Sequence, residues 1–323
     1  MLVDEKRVRF LEKDYSLAWK GIAAVFIMLG HIMPETAPIY IRFFLWGGPW
    51  VGIFFFYSGY GLQYSLEKKS NYLDHFIANK FKSIYLPFLL AETLYYFIVN
   101  IIINHNKLTA VDILGCVLGF RLANSVLWYV VEILIVCILF YAVNRLKINH
   151  NAWFVIYALF MIGALVGDIG TWWYISTFCF LIGLHWNNIK FFNEIVCKNL
   201  YWYIICIFYI TLYVAIKLII PYANLGFFSV YKNIISVGLS IAAIPLFIFV
   251  IAGISQRCVI LNRLKVVGQI SYEIYLYHML IAEIIWKFSE DHGKTFCHVI
   301  AIVMGTIFLA YTINKIKIKN SNS

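Results

Sequence analysis

The sequence predicts an all-α fold: a polytopic integral membrane helical bundle with about ten transmembrane helices. Three observations lead there. Hydrophobic residues make up 63% of the chain and charged residues 13%, about half the charged share of an ordinary soluble domain. Apolar stretches long enough to cross a bilayer follow one another to the C-terminus, and the mean hydropathy is +0.81. The basic residues also alternate between successive loops, as membrane insertion requires.

In chain order, the apolar stretches cover about 17–33, 43–64, 84–104, 125–144, 152–168, 171–187, 200–220, 231–253, 267–287 and 296–314. The fifth and sixth are the shortest, joined around Asp168. Gly47-Gly48-Pro49-Trp50 and Trp172-Trp173 sit where breakers and interfacial anchors belong. With the N-terminus inside, the cytoplasmic loops receive 18 of the 26 basic residues. These include Lys6, Arg7, Lys68, Lys80, Lys82, Arg145, Lys190, Arg257 and Lys319. The outer side receives Arg42, Lys107, Arg121, Lys287 and Lys294, with Lys217 and Lys232 near span ends. This pattern predicts a multi-pass protein of the cytoplasmic membrane with both termini inside. One membrane-embedded domain is expected over 1–323, with a cytoplasmic segment at 1–16 and a cytoplasmic tail at 315–323. No cleavable leader is expected.

The net charge of +10 belongs to these loops. No basic domain or groove-reading motif points to nucleic acid. Seven cysteines are scattered through apolar stretches without CxxC spacing, so neither a disulfide framework nor a metal site is expected. Phosphate-cradling P-loops, zinc-binding HExxH helices and GxSxG elbows are absent from the sequence. A base, cations and hydroxyls inside a bundle remain as tools.

The first span holds the sharpest signal. Lys20 and His31 lie eleven residues apart, almost three helical turns, on nearly one face and about 16 Å apart along the axis. Titratable groups within a membrane helix mark function or a specific partner. His31 suits a general base, although a hydrogen-bonded core histidine is the plainer alternative. Lys20 is a point charge suited to phosphate, or else a snorkelling lysine. Ser58, within Phe54-Phe55-Phe56-Tyr57-Ser58-Gly59-Tyr60, permits close approach of a helix or ligand. Lys80 and Lys82 run into a helix opened by Pro87, an expected anion site. Asn124, Trp128 and Glu132 share a spacing of four. Glu132 and Glu92 are the carboxylates deepest in apolar sequence. Ser271, Tyr275 and His278 form a polar stripe, explicable by a hydrogen-bond ladder alone.

Together these residues resemble the acyltransferase-3 family of membrane acyltransferases, often associated with O-acetylation of bacterial surface polysaccharides. Four blocks carry the resemblance: Lys20-X10-His31 with Pro34, residues 54–60, Lys80 to Pro87, and Ser271-X3-Tyr275-Leu276-X-His278. Leu127-Trp128-Tyr129 adds to them. The family's first basic residue is usually arginine, and Lys20 keeps the charge without the bidentate fork.

The resemblance implies acyl transfer, most simply acetyl, from cytoplasmic acyl-coenzyme A to a hydroxyl of a cell-surface or lipid-linked glycan in the bacterial cell envelope. His31 is then the base and Glu132 its supporting carboxylate, with Glu92 as the alternative. Lys20, Lys80 and Lys82 hold the coenzyme's phosphates. Ser58, Trp128, Ser271, Tyr275 and His278 bind substrate or support the site. No metal is expected, and the partners are acyl-coenzyme A, the glycan acceptor and the bilayer. The rival function class is a non-enzymatic transporter or flippase for a lipid-linked glycan. It shares the spans but needs neither Lys20 nor His31 on one face.

The charge alternation makes a direct prediction. In a background with the other cysteines replaced, a cysteine at Lys319 stays closed to a membrane-impermeant maleimide in intact cells. One at Asn104 is labelled. The reverse pattern refutes the orientation.

Overall fold

A computed structural model of the chain describes residues 8–34, 36–38, 41, 44–106, 109–149, 151–167, 169–220, 232–289 and 295–321. Lys6, Arg7, Arg42, Lys107, Asp168 and Lys294 lie outside the described residues. The structure is 84% helical, with no strand among the described residues, as a polytopic helical membrane protein must be.

Helices stand where the apolar stretches predict them. They are α1 (Lys13–Ile32), α2 (Gly47–Lys68), α3 (Phe76–Ile103), α4 (Ala110–Leu118), α5 (Ser125–Arg145) and α6 (Ala152–Val166). After them come α7 (Phe178–His185), α8 (Lys190–Cys197), α9 (Asn199–Ile219), α10 (Lys232–Arg257), α11 (Ser271–Lys287) and α12 (Phe296–Ser321). Six of these, α1, α3, α5, α9, α10 and α12, are long and apolar enough to cross a bilayer. At 15 and 8 residues, α6 and α7 fall short of the ~20 a helix needs to span. Helix length therefore supports many spans without fixing the number at ten. Only 11% of the apolar stretch of α9 is buried, so that helix needs lipid rather than protein against most of its surface.

Local sequence explains the irregularities. Pro87 falls inside the 28-residue α3, where its ring crowds the carbonyl one turn back. The turn at Phe81–Tyr85 is widened to a π-helix at that place, and Tyr96–Ile103 widens again. Asn124 differs from the sequence reading. It precedes α5 in extended conformation and its side chain caps Val126 N–H at 3.2 Å. An asparagine side chain competes for the backbone and favours a cap over a helix interior, so it shares no helical face with Trp128 and Glu132.

The chain divides into two compact units, with the boundary inside α1. The first takes the chain up to Ala23, Gly47–Lys68 and Asn151–Gly268. Its centre is the crossing of α2 and α7. A Cβ on Gly59 would stand 2.2 Å from the Phe180 carbonyl oxygen, and one on Gly183 2.2 Å from that of Phe56. The two backbones meet because neither residue has a side chain. Phe10, Phe56, Tyr57 and Trp186 stack around this crossing, and Trp19 Nε1–H donates to Ser255 Oγ at 2.7 Å.

The second unit takes Ala24–Trp46, Lys69–His150 and Gln269–Ser323. Its axis is α11, packed against α12, α3 and the first turn of α5. Tyr272 Oη–H donates to the Ile84 carbonyl at 2.8 Å, where the widened turn of α3 frees backbone oxygen.

The α2–α7 crossing predicts a sharp contrast. Gly59→Val or Gly183→Val lowers the melting temperature of the purified protein by the equivalent of about 1–3 kcal/mol or more. Gly61→Ala, whose Cβ meets nothing within 4 Å, leaves it unchanged. Thermal unfolding in detergent measures both.

Candidate functional site

The second unit brings together residues far apart in sequence. His31, on the last turn of α1, places Nδ1 3.2 Å from Nε2 of His278 on α11. Their rings are stacked, with centroids 5.3 Å apart. His278 is completely buried. Its Nδ1 faces the backbone carbonyls of Ile274 at 3.1 Å and Tyr275 at 2.8 Å, one turn back on the same helix.

These partners order the protons. A carbonyl only accepts, so His278 Nδ1 carries hydrogen. In the neutral ring Nε2 is then an acceptor, and His31 Nδ1 must donate to it. The basic lone pair of His31 is therefore on Nε2. When His31 takes up a proton it is held there, while Nδ1–H keeps its bond to His278. This is the arrangement of a base oriented and supported by a second group, with an imidazole where a carboxylate is more familiar.

The dyad is braced by the polar stripe of α11. Ser271, Tyr275 and His278 are all buried. Tyr275 Oη–H donates to the Val126 carbonyl, and its ring meets Tyr129 edge-on at 5.7 Å. Glu132 is buried on α5. Trp128 is half-buried, edge-on to Tyr129 at 6.4 Å.

Glu92, the other deep carboxylate, has a specific place. It is fully buried on α3. It accepts the Ala123 N–H at 2.8 Å and the Asn124 N–H at 3.3 Å. It thus satisfies two backbone donors of the segment that carries Val126 and, through it, Tyr275. Sequence reading found the carboxylate but not these partners, because backbone donors leave no trace in residue identity. Cys116 lies beside it. Burial pushes the Cys116 thiol up, and the Glu92 charge adds to the effect, so it stays protonated and is a poor nucleophile.

Lys20 belongs to the first unit. It is half-buried, with Nζ 5.5 Å from the centre of the Tyr57 ring. Tyr57 Oη–H donates to the Phe10 carbonyl at 2.9 Å, which fixes the ring beneath the cation. Ser58 is the next residue on α2 and is half-buried. Lys80 and Lys82 belong to the second unit, Lys80 with Nζ over Phe76 at 5.4 Å and Lys82 exposed. No group of three or more His, Cys, Asp or Glu side chains capable of holding a metal ion occurs among the described residues.

A family model described as an acyltransferase domain matches residues 15–315. No curated protein and no solved structure matches the chain.

Glu92 gives a prediction for this site. Glu92→Ala leaves two N–H groups without their acceptor, at about 1–3 kcal/mol each, and lowers thermal stability accordingly. Glu92→Gln, which keeps one carbonyl oxygen, loses less. Equal melting temperatures for the two variants refute the role.

Proposed function

The chain belongs to the acyltransferase-3 family and is a membrane acyltransferase, and we propose that it moves an acyl group, acetyl in the simplest case, from acyl-coenzyme A to a hydroxyl of a surface or lipid-linked glycan. The observation that carries this reading is the His31–His278 hydrogen bond with its proton order.

The acceptor hydroxyl gives its proton to His31 Nε2 as its oxygen attacks the thioester carbonyl. The resulting imidazolium is supported at Nδ1 by His278. Collapse of the tetrahedral intermediate breaks the carbon–sulfur bond, and His31 Nε2–H returns the proton to the departing coenzyme A thiolate. The products are the acyl ester and free coenzyme A. His278 touches no reacting atom and is a positioning residue. Glu132 is the carboxylate assigned in this reading to support the charged form of His31.

Lys20 is the cation we assign to the donor's phosphates. Eleven residues of helical rise amount to about 16 Å along an axis, a span suited to an extended pantetheine arm between Lys20 and His31. Lys80 and Lys82 form a separate basic pair on α3, proposed as a second contact for the same phosphates. In this reading the donor arrives from the cytoplasm, where both termini lie, and the acceptor from the opposite face.

Mass spectrometry of surface glycans tests the whole reading. Deleting the gene removes an acyl mass increment while the glycan stays on the surface, and wild-type protein restores it. A transporter predicts loss of the glycan itself. At equal membrane levels, His31→Ala lowers transfer by ~10²–10⁴-fold, and His278→Ala lowers it less. Lys20→Met raises KM for the coenzyme thioester, and Lys20→Arg largely preserves it. Full acylation with His31→Ala overturns the assignment of the base.

A further inference from the structure

The second unit holds a polar cavity of about 260 Å³ lined by Tyr96, Asn100, Asn106, Asp112, Arg121 and Ala123, with Cys116 and Leu122 completing the wall. We propose that this cavity is the acceptor subsite and takes one uncharged sugar ring. The inference rests on the acyl-transfer reading and names where the acceptor sits.

The cavity is built rather than incidental. Helix α4 is capped by Thr109, whose side chain accepts the Asp112 N–H at 3.1 Å. The Thr109 hydroxyl also donates to Asp112 Oδ2. The helix ends at Gly119, left-handed at φ 76°, which reverses the chain. The reversal lays Arg121 over Gly115, where a Cβ would stand 2.7 Å from Arg121 Cβ. Arg121 Nη1 then faces Asp112 Oδ1 at 3.5 Å. The opposite wall is the widened turn of α3, which sets Tyr96 and Asn100 on one side.

The chemistry of the wall selects its ligand. Asp112 and Arg121 offset each other, so an anion entering the cavity meets a carboxylate and a cation meets a guanidinium. An apolar ligand would leave these groups desolvated without partners. A hydroxyl both donates and accepts. Neighbouring hydroxyls can therefore bridge Asp112 and Arg121 and pair with the two asparagine amides, while Tyr96 offers a flat apolar face. The volume lies just below the ~300 Å³ at which drug-sized sites begin, which suits a single ring.

The cavity is also tied to the base. Its back wall, Leu122-Ala123, continues into the segment bound by Glu92. That segment receives Tyr275 at Val126, and the Tyr275 carbonyl fixes His278. Hydrogen bonds and the short chain segments between them thus link this wall to His31 within one unit.

Saturation-transfer NMR on the full chain in nanodiscs tests the site. The probes are methyl glucoside, methyl N-acetylglucosaminide and methyl glucuronide. At least one neutral glycoside should bind, and Asn100→Ala/Asn106→Ala should weaken it ~10-fold. Arg121→Leu should weaken it comparably. These variants change partly exposed side chains, and circular dichroism confirms their helicity. No glycoside binding, binding indifferent to the variants, or tighter binding of the glucuronide overturns the site. Coenzyme A release from acetyl-coenzyme A with the bound glycoside is read separately. Binding that follows the variants without any acyl transfer upholds the sugar site and overturns the transfer reading instead.

Discussion

Two backbone carbonyls facing one ring nitrogen set the proton chemistry of the second unit. His278 Nδ1 has only acceptors before it, so its hydrogen is fixed, and the fixed hydrogen decides which nitrogen of His31 is basic. The arrangement costs the helix little, because the carbonyls belong to the preceding turn of α11 and keep a second lone pair. A helix can thus act as the orienting group of a catalytic pair using its own backbone.

The same economy governs the rest of the polar interior. Within an apolar surround, each donor and acceptor needs a protein partner. Glu92 satisfies two N–H groups of the segment before α5, Tyr275 satisfies the carbonyl of Val126, and Tyr272 that of Ile84. Each bond joins parts of the chain distant in sequence. Together they fix α11 against α3 and α5 more specifically than apolar packing does, because hydrogen bonds are directional and leucine contacts are not.

Much of this was legible beforehand. The positions of the helices followed from apolar run length, and the Lys20–His31 spacing and the Ser271–Tyr275–His278 stripe followed from helical periodicity. The contact of His31 with His278 was not legible, since no periodicity relates α1 to α11. Spacing of four puts Asn124 on a helical face with Trp128 and Glu132, but asparagine's preference for caps sets it before the helix instead. The cavity around Asp112 and Arg121 is hidden in the sequence for a related reason. Its signals, Thr109 three residues before Asp112 and Gly119 after the helix, describe a capped turn, and only folding back over Gly115 turns them into a wall.

The crossing at Gly59 and Gly183 has a consequence for how such a chain can vary through descent. What each missing side chain makes room for is the main chain of the other helix, a carbonyl oxygen that every residue possesses. Shrinking the facing residue therefore frees no space, and neither position can be rescued by a compensating change at the other. The two sites cannot drift as a correlated pair. Each is a dead end to anything larger unless the helices themselves move apart, which would carry away the aromatic stack and with it the ring of Tyr57 beneath Lys20.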